Sequence, residues 1–262
     1  MRIVRFRDQP DAWPAWGWIS EDRVGLISGS PFSDFRREPA AHRLASVQLL
    51  PPVTPGKIIC VGRNYAAHAA EHDTDIPTLP LLFSKPPSAV IGPGEPILLP
   101  PQSQRVEHEA ELAVVIGQTG RWISPAEAPG YILGYTAAND VTARDLQRSD
   151  GQWTRGKGFD TFCPLGPWIE TRLDPADVLV TCHVNGQLRQ MASTRDMVFP
   201  VATLVAFVSS IMTLEPGDVI LTGTPSGVGA LEAGDEVRVE VEGLGTLTNP
   251  VRNDPHRETR SS

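Results

Sequence analysis

The run His108-Glu109-Ala110-Glu111-Leu112-Ala113-Val114-Val115-Ile116-Gly117 constrains this chain more than any other stretch. Glu109–Ile116 reads as an apolar strand with two carboxylates at its head. Side chains alternate faces along a strand, so Glu109 and Glu111 point to the same side of a sheet. Like charges that close resist ionising together without a compensating partner. A divalent cation is such a partner, because hard cations prefer oxygen ligands. A third carboxylate, Asp140, closes a second strand-like run that begins at Tyr131. Three carboxylates plus water suit an octahedral Mg²⁺ or Mn²⁺ site. A solvated acidic strand face is the competing explanation of the same pattern. Glu107, in register on that face, falls nearer the preceding loop and is not counted as a ligand.

The rest of the chain reads as strands and turns. Its 262 residues suffice for a sizeable core, and 23 glycines with 25 prolines point to short strands joined by defined turns. Strand patterns at Arg2–Phe6, Trp16–Ser20 and Arg23–Ser28 suggest a small β-rich N-terminal domain over residues 1–52. The Pro-rich stretch Leu50–Gly56 is the boundary candidate. Residues 53–253 follow as the main domain, with 254–262 as a flexible tail. Within the main domain a strand over Lys57–Val61 leads into a short helix to about His72, with Asn64 as its N-cap. A second short helix is expected over Pro125–Ala128, before a strand over Tyr131–Ala138. Val198–Thr213 reads as the one substantial apolar helix, with Pro200 near its start. Val237, Val239 and Val241 alternate with charged residues, the pattern of a half-buried strand. Strands outnumber helices and do not alternate with them, which argues for a mixed β-rich α+β fold against a doubly wound sheet.

A net charge of −8 argues against nucleic acid or an anionic membrane as the main partner. Cys60, Cys163 and Cys182 are far apart and odd in number, so neither a disulfide framework nor a CxxC metal site is expected. No signal peptide opens the chain, and no apolar segment reaches the ~20 residues of a membrane helix. A reducing cytoplasm is the expected location.

Four further groups of residues carry chemistry. In Gly62-Arg63-Asn64-Tyr65-Ala66-Ala67-His68-Ala69-Ala70-Glu71, helical spacing brings His68 and Glu71 to one face. A carboxylate beside an imidazole makes a competent general base for water, although an ordinary exposed pair has the same spacing. Tyr65 shares the His68 face. A helix starting near Thr142 aligns Arg144 with Gln147, and Arg suits a substrate carboxylate. Gly151 to Lys157 imitates a phosphate-binding loop, but Gly158 stands where that loop needs Ser or Thr, so nucleotide binding is rejected. Lys157, between two glycines, remains free to approach a substrate oxyanion. Leu221 to Gly229 is a turn of small residues whose backbone N–H groups suit an anion.

Six segments in this order, GRNYAAHAAEH, FSKPPSAVIGPGEPI, VEHEAELAVVIG, GYTAANDVTARDLQ, GKGFDTFCPLGPWI and LEPGDVILTGTPSGVG, resemble the fumarylacetoacetate hydrolase family. The likeness covers roughly residues 55–250. It implies a β-roll fold, commonly a homodimer, and Mg²⁺ or Mn²⁺ on Glu109, Glu111 and Asp140. It also implies a lid carrying His68 and Glu71, catalysis by His68, Glu71 and Lys157, and substrate binding by Arg63, Tyr65, Arg144, Gln147 and Thr224. The expected substrate is a small 2-oxo or 2,4-dioxo acid, handled through a metal-stabilised enolate. Hydrolysis of the C–C bond of an acylpyruvate is the first expectation. Isomerisation of 2-hydroxyhepta-2,4-diene-1,7-dioate or decarboxylation of an oxaloacetate-like acid follows from the same enolate. A catalytically silent ligand-binding protein is the alternative of another class.

Overall fold

The computed structural model describes residues 1–71 and 75–256. The side chains of His68, Ala69 and Ala70 lie outside the described residues, as do His72 and the tail beyond His256.

Among the described residues the strands form three sheets. The path of the largest starts with Phe35–Arg43, Arg23–Gly29, Ala15–Ser20, Arg2–Arg7 and Cys163–Glu170. It continues through Ile132–Asn139, Ala110–Ile116, Val219–Leu221, Ile58–Gly62 and Leu81–Lys85. A second sheet orders Gln187–Ser193, Leu179–Val184, Glu236–Val241, Gly245–Asn253 and Ile97–Leu99. A third, small one joins Thr142–Ala143, Val106–His108 and Gly229–Ala230. Most pairings are antiparallel; Val219–Leu221 with Ile58–Gly62 is parallel. The β-rich α+β architecture matches the sequence expectation. The N-terminal strands are not a separate sheet, because Arg2–Arg7 pairs with Cys163–Glu170 and extends the large one.

Strand periodicity places the core. All seven residues of Ala110–Ile116 are buried. Leu112, Val114 and Ile116 join a cluster with Val180, Cys182, Val237 and Val239 of the second sheet. Ala113 and Val115 face the other way, among Ile3, Ile58, Cys60 and Ile169. Glu111 shares the Ala113 side, so the carboxylates emerge opposite the inter-sheet core. Helix Val201–Ile211 buries Val201, Leu204, Val205 and Val208 at helical spacing onto that core. Glu236–Val241 alternates exposed and buried residues as its valines predict. All three cysteines are free and buried.

Three local expectations shift. The short helix lies at Ala128–Tyr131, one turn beyond Pro125–Ala128. The long helix starts at Val201, with Pro200 as its N-cap residue, and ends at Ile211. Asn64 is buried and does not serve as an exposed helix cap. Its Nδ2 donates to Phe199 O at 3.0 Å and Thr222 O at 2.7 Å, and its Oδ1 accepts from Phe199 N–H at 2.8 Å. These long-range bonds satisfy the whole amide, so Asn64 ties the root of helix Ala66–Glu71 to two distant segments.

Candidate active site

Register brings the three carboxylates together. Ala110 pairs with Asn139 across the antiparallel ladder, so the next residue outward on each strand, Glu109 and Asp140, stand opposite each other. Asn139 Oδ1 accepts Glu109 N–H at 2.9 Å, and Asp140 N–H donates to Glu109 O at 2.8 Å. The backbone is thereby held where the chain leaves the large sheet for Val106–His108. Glu109, Glu111 and Asp140 are all buried and each offers an oxygen within 4.8 Å of the others.

Cations are packed around them. Lys157 Nζ donates to Glu109 Oε2 at 2.7 Å and to Asp140 Oδ2 at 2.6 Å. Lys85 Nζ takes the other Asp140 oxygen at 2.6 Å and Val141 O at 3.0 Å. Arg144 is shared between Glu107 Oε2 at 2.6 Å, Gln147 Oε1 at 2.6 Å and Glu109 Oε1. Burial pushes the Lys157 ammonium down, but Asp140 and Glu109 outweigh it and hold its pKa above the usual lysine value. Burial likewise opposes charge on Arg144, and Glu109 and Glu107 more than restore it.

Glu111 is the exception. Among the described residues its carboxylate accepts one hydrogen bond, from Gly223 N–H at 2.6 Å. Burial, then Asp140 and Glu109, push its carboxyl well above the usual range. A buried carboxylate facing two others with so little compensation is what a divalent cation relieves, so this oxygen-only donor set fits Mg²⁺ or Mn²⁺.

The carboxylates form one end of a cavity of about 320 Å³. Arg63, Arg144, Gln147, Lys157 and Thr224 line it, together with Phe83, Arg148 and Trp153. Helix Arg144–Asp150 supplies Arg144, Gln147 and Arg148 from one face, at i, i+3 and i+4. Lys157 ends a helical turn, Thr154–Lys157. Gly156 permits this: a Cβ there would stand 2.8 Å from Gln147 N, so only glycine lets the two helices approach so closely.

The remaining expected residues are placed differently. Thr224 lines the cavity, but its hydroxyl donates to Ala110 O at 2.8 Å and accepts from Gln190 Nε2 at 2.8 Å. Tyr65 is buried outside the lining, and its hydroxyl has no partner among the described residues; burial, Glu111 and Asp196 raise its pKa. The Glu71 carboxylate accepts Gly227 N–H at 3.2 Å, which seats its helix on the Thr224 loop. The geometry of the His68–Glu71 pair lies outside the described residues.

Sequence reasoning missed Lys85, Phe83, Arg148 and Trp153, and set Glu107 aside. Glu107 is buried behind Arg144, where burial raises its pKa and Arg144 and Arg105 bring it below the usual range. Its place in the same alternating series as Glu109 and Glu111 was the available signal. Lys85 follows an apolar strand and precedes two prolines; nothing in that spacing marks a buried lysine.

Residues 57–252 match the family model described as fumarylacetoacetate (FAA) hydrolase C-terminal, and residues 1–52 match one described as Rv2993c-like, N-terminal. The chain belongs to the fumarylacetoacetate hydrolase family. It is 48% identical over 287 residues to the mitochondrial oxaloacetate tautomerase FAHD2B of Bos taurus, covering 96% of this chain and 91% of that one. The solved 5-carboxymethyl-2-hydroxymuconate delta-isomerase from Mycobacterium smegmatis superposes with a TM-score of 0.90 at 49% identity, over 97% of this chain and 100% of its own. The 2-hydroxyhepta-2,4-diene-1,7-dioate isomerase from Mycobacterium marinum does so at 0.89 and 45%, over 97% and 99%. No helix among the described residues is long and apolar enough to cross a membrane.

Proposed function

We propose that this chain is a divalent-metal-dependent enzyme that moves a proton between C3 and the 2-oxygen of a 2-oxo acid through its enolate, as a tautomerase or isomerase. The observation that carries this reading is the Lys157 ammonium, buried between Glu109 and Asp140 at the carboxylate end of a cavity lined by arginines. Mg²⁺ or Mn²⁺ on Glu109, Glu111 and Asp140 would supply Lewis acidity toward the oxygens of the 2-oxo acid.

Lys157 places a fixed positive charge beside the same oxygens, where negative charge grows as the C3 proton leaves. Gln147 is oriented for binding, because its Oε1 is taken by Arg144 and its NH₂ is left to donate to a substrate carboxylate. Arg144 holds Glu109 and Gln147 in position. The C3 proton passes to His68, with Glu71 anchored on Gly227, and a proton is returned to oxygen or to a more distant carbon. Atoms balance without water or an oxidant. The activities in the names of the three relatives belong to this proton-transfer class, which supports it over the hydrolysis expected first.

Hydrolysis remains the second reading, because Glu71 seats the helix bearing His68 on the Thr224 loop, next to the cavity. There the same base would activate water against the C4 carbonyl of an acylpyruvate, and the C3–C4 bond would break. A cytoplasmic homodimer is the working state in either reading.

The test follows solvent deuterium entering C3 of oxaloacetate, and cleavage of acetylpyruvate, with Mg²⁺ and with EDTA. Mg²⁺-dependent exchange without acetylpyruvate cleavage is the expected result. Rapid acetylpyruvate cleavage with no exchange would replace this reading with the hydrolytic one, and loss of neither signal in EDTA would remove the metal from it.

A further inference from the structure

Strand Gln187–Ser193 ends the second sheet, and among the described residues it is paired on one side only, with Leu179–Val184. Its residues are exposed or half-buried with one exception, and that exception is polar: Gln190 is 1% exposed. A glutamine is rarely closed off from solvent unless its amide is bonded. The ladder is irregular at the same point. Cys182 pairs with Gln190 and His183 with Leu188, so Arg189 is an extra residue, a β-bulge. In a regular strand Leu188 and Gln190 would share a face. With the bulge between them, Leu188 is exposed and Gln190 is buried. Bulges of this kind re-aim side chains beside active sites. The turn after Val219–Leu221 presses on the bulge: a Cβ on Gly227, at φ 97°, would stand 2.1 Å from Arg189 O, so only glycine holds that contact.

The Gln190 amide spends all its bonding capacity on two segments that hold the carboxylates. Its Nε2 donates to Thr224 Oγ1 at 2.8 Å and to Pro225 O at 2.8 Å. Its Oε1 accepts Ala110 N–H at 3.0 Å and lies 2.9 Å from His108 Nδ1. Pro225 O can only accept and Ala110 N–H can only donate, so the amide has one orientation and His108 Nδ1 donates to it. Ala110 sits between Glu109 and Glu111. Thr224 follows Gly223, whose N–H meets Glu111 Oε2 at 2.6 Å, and the Thr224 hydroxyl closes the circuit on Ala110 O at 2.8 Å. Gln190 itself is outside the cavity lining. We infer that Gln190 is a positioning residue: from the edge of the second sheet it clamps the Gly223–Pro225 turn to Ala110, and so holds Glu109 and Glu111 in the geometry that binds the cation. The inference deepens the function proposed above and rests on its metal site.

Isothermal titration with Mg²⁺ and urea unfolding, both on the full chain, test it in Gln190→Met. Methionine keeps the length of glutamine and replaces none of its amide bonds. Groups that orient a metal ligand from outside the coordination sphere typically carry about 10–100-fold in metal affinity. Gln190 acts through backbone and Thr224, so the lower end, a weakening of roughly tenfold, is expected. Asn249→Leu is the control for a structural role. Asn249 is also a buried amide, donating to Gly92 O at 2.8 Å and Glu95 O at 2.9 Å, and it is outside the cavity lining. It should lose urea stability and bind Mg²⁺ as the wild type does. Gln190→Asn keeps the amide one methylene short and serves should Gln190→Met fail to fold; its Mg²⁺ affinity should fall in the same direction by a smaller factor. Wild-type Mg²⁺ affinity in the Gln190 variants, with a lowered urea midpoint alone, would overturn the positioning role and leave a structural one. Failure of the wild type to bind Mg²⁺ would instead overturn the metal site, and this inference with it.

Discussion

Lys85 Nζ stands 2.6 Å from Asp140 Oδ1, and both side chains are closed to solvent. Lys85 is buried behind the cavity and not in its lining, whereas Asp140 lines it, so Lys85 orients Asp140 without reaching a substrate. Removing one partner of a buried pair leaves the other charge uncompensated, at a cost of about 3–5 kcal/mol. Lys85→Met is expected to lower the melting temperature strongly in EDTA. Mg²⁺ should recover part of the loss, because a cation on Asp140 replaces some of the missing charge. Thermal melts with and without Mg²⁺ check this, and an equal loss in both would show that Lys85 acts through packing alone.

Lys157 differs from Lys85 in facing the cavity while touching both Glu109 and Asp140. Loss of a preorganised charge at a developing oxyanion typically costs about 10²–10³ in kcat. Lys157→Met is expected to show that loss in C3 exchange. Binding of Mg²⁺ itself should persist, since the three carboxylates remain and a competing cation has gone. Exchange rates and Mg²⁺ titrations of the same variant separate the two roles.

The metal end of this site was legible because strand periodicity is local. Glu109 and Glu111 share a face by alternation, and Asp140 closes a strand whose pairing register then brings it opposite Glu109. Helical spacing likewise joined Arg144 to Gln147. What escaped depends on contacts distant in sequence. Asn64 has the composition of a helix cap, yet its amide bonds reach residues 135 and 158 positions away. Lys85 is buried against Asp140, and Trp153 packs on Phe83 and Gly62, contacts that propensity cannot register. The pairing of Arg2–Arg7 with Cys163–Glu170, which merges the N-terminal strands into the large sheet, is invisible for the same reason. The β-roll itself came from the resemblance in six ordered segments, since periodicity alone said only that strands predominate.

Asp145 links the start of the Arg144 helix to the loop before Glu107, accepting Ser103 Oγ at 2.6 Å, Gln104 N–H at 2.8 Å and Leu146 N–H at 3.0 Å. Burial raises its pKa, but these bonds prevail and hold it below the usual aspartate range. A carboxylate lowered in the folded state contributes stability above its unfolded pKa, and that contribution disappears as pH falls through the folded one. The window therefore lies below about pH 4. Asp145→Asn is expected to cost about 1 kcal/mol at pH 7, after allowance for its partial exposure, and progressively less on acidification. Urea midpoints measured from pH 7 down to pH 3 check both the sign and the window.

Glu111 tests the metal assignment most directly. Its buried carboxylate faces Asp140 and Glu109 with the Gly223 N–H as its one hydrogen bond among the described residues, and its pKa is pushed well above the usual range. Without a metal, an ionised Glu111 is therefore a burden on the fold. Glu111→Gln keeps the shape and removes that charge, so in EDTA the variant is expected to melt at or above the wild-type temperature. With metal the order should reverse. A ligand that binds only the folded state stabilises it by about 2.7 kcal/mol at a hundredfold excess over Kd. The wild type should gain this on addition of Mg²⁺ or Mn²⁺, and Glu111→Gln should gain little. Melts of both proteins across a metal titration decide the matter. An equal metal-induced shift in the two would exclude Glu111 as a ligand, and no shift in the wild type would leave the three carboxylates without the cation their burial calls for.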